Sequence, residues 1–84
     1  MKEIELEFTT KWQADELHVN YYSDGPKRNR LMDVFLNGYY PLDTSELATN
    51  PRYAKLYQHI KWAMQNNSHS YWEEEQEKKE VANA

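Results

Sequence analysis

The segment PRYAKLYQHIKWAMQ, which runs from Pro51 to Gln65, decides the fold. Asn50 can cap its first turn, and Pro51 suits the first helical position, where no backbone donor is needed. Its apolar residues recur at the three- and four-residue steps that place side chains on one face of an α-helix: Tyr53, Leu56, Tyr57, Ile60, Ala63 and Met64. The segment therefore predicts an amphipathic helix over residues 51–65 that packs its apolar face on the rest of the chain.

Trp62 falls on the other side of this helix. At about 100° per residue it lies about 180° from the middle of the apolar stripe. Its neighbours on that face are Arg52, Lys55 and His59. Two explanations for such a large ring remain open. Either the C-terminal segment folds back and covers it, or Trp62 contacts another molecule.

The chain upstream of residue 43 has the patterns of β-strands. Apolar and polar residues alternate in its first two strand-like segments, and a period of two predicts half-buried strands. Asn37-Gly38 is a strong signal for a hairpin turn. A helix over residues 29–37, capped by Asn29, is an alternative that we consider less favoured. The predicted strands lie at about residues 3–8, 16–22, 31–36 and 39–42.

The downstream part completes an α+β fold. Ser70 can cap a polar C-terminal helix at about residues 70–82, separated from the main helix by an end near Asn66-Asn67. We therefore predict a small antiparallel sheet of three to four strands with the main helix packed on one face. Residues 1–74 are expected to form a single small domain, and residues 75–84 an acidic tail that is helical or partly disordered.

Composition limits the setting of the protein. The 84 residues contain no cysteine, which fits a reducing compartment and argues against a secreted disulfide scaffold. No apolar run approaches the length of a membrane span, and the N-terminal residues alternate charge with hydrophobe, unlike a signal peptide. We expect a soluble, cytoplasmic protein that does not bind a membrane.

Catalytic chemistry is not indicated by the sequence. The two glycines do not form a phosphate-binding loop, and there is no cysteine nucleophile. His18, His59 and His69 are not at metal-ligand spacing. We therefore expect no enzyme activity, no cofactor and no metal site.

Exposed aromatic residues and segregated charge indicate binding to a macromolecule. The chain is rich in tyrosine, and each Tyr-Tyr pair sends one ring to either face of a strand. Large, rigid and amphipathic rings are favoured at recognition surfaces. We expect a small regulatory or accessory protein that binds another protein. The residues expected to contact the partner are Arg52, Lys55, His59, Trp62, Tyr22 and Tyr40.

Two other roles remain open. The ends of the chain are acidic and its middle is basic, so bases could stack on Trp62 or on tyrosines while a basic loop contacts phosphates. The expected phosphate contacts are Lys27, Arg28 and Arg30. The formal net charge of −4 disfavours this role, because nucleic-acid affinity grows with the number of phosphates neutralised. Alternatively, the chain is a structural subunit that buries the same aromatic residues in a homodimer.

Overall fold

The computed structural model describes the backbone of residues 3–82 and the side chains as far as Lys78. It consists of an antiparallel sheet in the order β1-β2-β3-β4 and a long C-terminal helix. The predicted α+β class is confirmed. The elements in chain order are β1 (Ile4–Trp12), β2 (Asp15–Gly25), β3 (Arg28–Leu36), β4 (Tyr40–Leu42), α1 (Thr44–Thr49), a 3₁₀ turn (Pro51–Tyr53) and α2 (Ala54–Ala82).

The Asn37-Gly38 pair forms the turn between β3 and β4, as its residue types predict. Both residues have positive φ, 54° at Asn37 and 82° at Gly38. The Asn37 side chain also holds this turn against β2, because its Oδ1 accepts from the backbone N–H of Glu16 at 3.0 Å. The segment before the turn is a strand, and the alternative helix over residues 29–37 is wrong.

One face of the sheet carries the core. Leu17, Val19 and Tyr21 alternate along β2 and are fully buried under α2, which contributes Ile60 and Met64. Cross-strand partners in an antiparallel sheet share a face, so β1 and β3 add their inward residues to the same layer. The opposite face of the sheet has no second layer within residues 3–82 and presents mostly polar side chains.

α2 is one continuous helix, which corrects the prediction of separate helices at 51–65 and 70–82. The inward stripe does not stop at Asn66-Asn67, because Asn67 and Ser68 continue it and form hydrogen bonds with the sheet. Residues 51–53 form a separate 3₁₀ turn, in which Asn50 Oδ1 accepts from Arg52 N–H at 3.0 Å. The side chains of residues 79–84 of the predicted acidic tail lie outside the described residues.

Candidate functional site

Three aromatic rings form a row along the flank of α2 that lies above β1. His59 is in the middle, with ring centroids 5.2 Å from Trp12 and 5.9 Å from Trp62. Trp12 ends β1, whereas His59 and Trp62 are on α2. Trp62 is 62% exposed, which agrees with its position outside the apolar stripe. We refer to Trp12, His59 and Trp62 as the aromatic row.

The row is fixed to the sheet through His59. The Nε2 atom of His59 lies 3.0 Å from the Oγ1 of Thr10 on β1, in a partly buried hydrogen bond. The imidazole ring is thus fixed at one edge by Thr10 and packed between two indoles. Trp62 therefore packs against a neighbour that the sheet contacts directly, although most of its surface faces solvent.

Within the described residues, the C-terminal segment does not cover Trp62. Because α2 is continuous, Tyr71 lies about 14 Å further along the helix axis, at 1.5 Å per residue. Trp72 turns toward the sheet, where its Nε1–H donates to Ser23 Oγ at 3.0 Å. The fold-back explanation for Trp62 is wrong, and its exposed surface remains.

Two predicted basic residues lie on the same flank as the aromatic row. Lys55 is in the first turn of α2, about two helical turns before Trp62, and Arg52 is in the preceding 3₁₀ turn. Both are exposed, and neither forms an ion pair with another residue of the described part of the chain. This end of the flank is therefore positively charged.

The predicted phosphate-contact residues lie at the opposite end of the sheet. Lys27 is in the turn between β2 and β3, and this turn is close to Trp72 rather than to His59. Arg28 lies 3.8 Å from Asp24. Lys55 and Trp72, which mark the two ends, are about 25 Å apart along α2, at 1.5 Å per residue. The basic middle of the sequence therefore does not fold into one basic patch.

Tyr22 lies on the open face of the sheet, away from α2. The Arg30 guanidinium carbon sits 4.6 Å from the centre of its ring, and Arg30 also contacts Glu3 at 3.2 Å. Much of the positive charge of Arg30 is thus already paired within the chain. Tyr22 is half-buried by this contact and is separated from the aromatic row by the sheet.

Tyr40 lies on β4, at the opposite edge of the sheet from β1. It is 59% exposed, and the neighbouring Tyr39 in the hairpin turn is 78% exposed. The structure therefore brings Arg52, Lys55, His59 and Trp62 together on one flank. It does not join Tyr22 or Tyr40 to that group.

A cluster of polar side chains under the second half of α2 was missed by the sequence analysis. The Ser68 hydroxyl is fully buried and lies 3.0 Å from Tyr21 OH, 3.1 Å from Ser23 Oγ and 2.5 Å from Asn29 Oδ1. Asn67 Nδ2–H donates to Tyr21 OH at 3.0 Å. The spacing of Asn67, Ser68, Tyr71 and Trp72 after Met64 was a signal of this inward stripe, hidden by the polarity of its members. We call these buried and partly buried groups the polar cluster, which consists of Tyr21, Ser23, Asn29, Asn67, Ser68 and Trp72.

An open cleft of about 390 Å³ lies beside the polar cluster, between the β2–β3 turn and α2. Its wall includes Pro26, Trp72 and His69, and the His69 ring lies 3.4 Å from a Glu73 carboxylate oxygen. In the described part of the chain, no group of three or more His, Asp or Glu side chains could hold a metal ion. None of the helices in that part is long and apolar enough to cross a bilayer.

Comparisons of the chain with protein-family models, with curated proteins and with solved structures gave no match.

Proposed function

We propose that this chain is a small protein-binding module, with a regulatory or accessory role, that contacts its partner through the aromatic row. The observation that carries the proposal is the exposure of Trp62, 62% of whose surface faces solvent while its ring packs on His59. Arg52 and Lys55 form the charged border of the same surface. The lack of cysteine is consistent with a cytoplasmic setting.

Binding energy at protein interfaces concentrates in a few side chains, and Trp and Arg are among the most frequent. Trp62 offers a large apolar area, and its contact with His59 limits the rotamer freedom that would be lost on binding. Basic residues at the border of an interface steer encounter with an acidic partner and contribute to specificity. The expected partner surface combines an apolar area with at least one carboxylate.

A protein partner fits this surface better than a nucleic acid does. Strong nucleic-acid binding requires several phosphates to be neutralised together. Here the basic side chains are divided between two ends of the molecule, and Arg28 and Arg30 already contact carboxylates. The net charge of −4 adds an overall repulsion.

The proposal is tested by capture of partners from the source cell with immobilised protein. Trp62→Ala should abolish specific capture, because a hot-spot residue typically contributes about 2 kcal/mol or more. Tyr39→Ala is the matched control, since it removes another exposed aromatic ring at a distant edge of the sheet. Equal capture by wild type and by folded Trp62→Ala would refute the proposal.

A further inference from the structure

β1 is an outer strand of the sheet and is long for an unprotected edge. Its nine residues pair with β2 on one side, and no other segment within residues 3–82 pairs with it on the other. The inward side chains Ile4, Leu6 and Phe8 are only partly buried. Long unpaired edges with apolar flanks are templates for adding another strand.

We propose that β1 pairs antiparallel with β1 of a second copy of this chain, with the two-fold axis at Phe8. The inference rests on the proposed function and names a second copy as the partner of the aromatic row. In this register all nine residues of β1 are paired and α2 lies on the same face of the sheet in both copies. Glu5 of each copy lies opposite Lys11 of the other, which gives two pairs of opposite charge.

Neighbouring registers that keep both helices on one face are poorer. With the axis at Glu7, this residue lies opposite its own copy, and like charges directly opposite are unfavourable. With the axis at Thr9, the strands overlap only over residues 6–12, so Ile4 and Glu5 lose their partners. Charge and overlap together therefore select the axis at Phe8.

The flank of α2 has a charge pattern that fits the same axis. α2 runs antiparallel to β1, since His59 contacts Thr10 and Ser68 contacts Ser23, the partner of Ile4. Phe8 lies two residues, about 6.7 Å, from Thr10. That distance corresponds to four to five helical residues, at about 1.5 Å each, and places the axis near residue 64 of α2.

A two-fold axis near residue 64 exchanges position 55 with position 73. Lys55 and Glu73 are separated by about five full turns and thus share the flank that carries Trp62. Lys55 of one copy therefore faces Glu73 of the other at both ends of the paired helices. The two Trp62 rings lie between these ends, where contact between the helices would cover them.

The test is the mass of the purified protein by sedimentation equilibrium. Wild type should have twice the 10.1 kDa protomer mass. Glu5→Lys alone or Lys11→Glu alone places like charges opposite each other, and each should weaken dimerisation about tenfold. An equimolar mixture of the two single variants should recover the wild-type affinity, because each heterodimer regains two opposite-charge pairs.

Lys11 is also opposite Glu16 within the same protomer, so Lys11→Glu is checked for folding by circular dichroism. The mixture controls for this effect, since both partners keep their intramolecular changes. The register control is Glu7→Lys mixed with Lys11→Glu. This mixture gives two pairs of opposite charge with the axis at Thr9 and one at the centre with the axis at Glu7, but with the axis at Phe8 it leaves two glutamates opposite each other. Recovery in this mixture but not in the first would overturn the proposed register.

A wild-type protein that stays monomeric at millimolar concentration would overturn the inference. If Trp62-dependent capture of a different protein persists in that case, the proposed function survives and only the second copy is excluded. Trp62→Ala is expected to weaken the dimer about thirtyfold, the equivalent of a hot spot. A dimer that follows the charge exchange but is unaffected by Trp62→Ala would support strand pairing and refute the role of the aromatic row.

Discussion

Ser68→Ala removes the central hydroxyl of the polar cluster and should lower the free energy of unfolding by about 1–2 kcal/mol. The hydroxyl is fully buried and contacts three other side chains. The main cost arises at Asn29, because Ser68 is the only side-chain partner of its Oδ1 within the described residues. Leaving such a partly buried acceptor without a donor costs about 1–3 kcal/mol.

The other two contacts are expected to add little. Tyr21 OH keeps its 3.2 Å contact with the Met64 carbonyl and its 3.0 Å contact with Asn67. Ser23 Oγ keeps the hydrogen bond from Trp72 at 3.0 Å. Alanine is also a better helix former than serine, which returns about 0.5 kcal/mol. The expected net loss of about 1–2 kcal/mol is therefore smaller than the largest cost of leaving the Asn29 acceptor unpaired.

The measurements are urea unfolding and thermal melting, each followed by far-ultraviolet circular dichroism. A loss of 1 kcal/mol should lower the melting temperature by roughly 4–8 °C in a domain of this size. Ser70→Ala is the matched control, since it makes the same chemical change at an exposed position of the same helix. It should leave stability unchanged or raise it slightly. Equal unfolding midpoints for the two variants would refute the role of the polar cluster.

Four further predictions concern other parts of the molecule. Ile60→Ala should lower the free energy of unfolding by about 2–5 kcal/mol because it empties a fully buried position. Trp62→Ala should change the free energy of unfolding by only about 0.5 kcal/mol. If thermal melts show that Trp62→Ala destabilises as much as Ile60→Ala, Trp62 is part of the core. Gly38→Ala should lower the free energy of unfolding by about 1–2 kcal/mol. The φ of Gly38 is +82°, and the new Cβ would lie 3.2 Å from the His18 ring. An unchanged melting temperature would contradict this strain. Labelled single-stranded oligonucleotide should show no change in anisotropy at low salt, whereas binding with a salt slope of about 0.7 per phosphate would favour the nucleic-acid role.

The sequence was sufficient where periodicity is unambiguous. The period of two in β2 and the stripe from Tyr53 to Met64 were enough to predict the sheet and the helix packed on it. The exposed position of Trp62 followed from the same helical period. These features depend on residues close in sequence, for which local patterns are informative.

The continuity of α2 could not be predicted from local preferences. Asn66, Asn67, Ser68, His69 and Ser70 are all weaker helix formers than alanine, by about 0.5 kcal/mol each, and together they suggest an end. Contacts with β2 and β3 outweigh this preference. Half of the polar cluster lies on these two strands and forms hydrogen bonds with the half that lies on α2. Tertiary contacts of this kind are not visible in a local window.

The separation of the two basic groups also depends on tertiary structure. Lys27 and Lys55 belong to one basic stretch of the sequence, but the direction in which α2 crosses the sheet places them at opposite ends. The direction of crossing is fixed by which helical residues contact which strand, as His59 does with Thr10. A net charge counted along the chain therefore gave no guide to the charge of a surface.

The core and the proposed recognition surface lie on different sides of α2, and His59 lies between them. The inward side, with Ile60 and Ser68, is buried and is constrained by the core and the polar cluster. The flank above β1, with Lys55 and Trp62, is exposed. His59 belongs to both, because it bonds to Thr10 and packs against Trp62. The large exposed ring of Trp62 is therefore positioned by a residue that the sheet already contacts through Thr10.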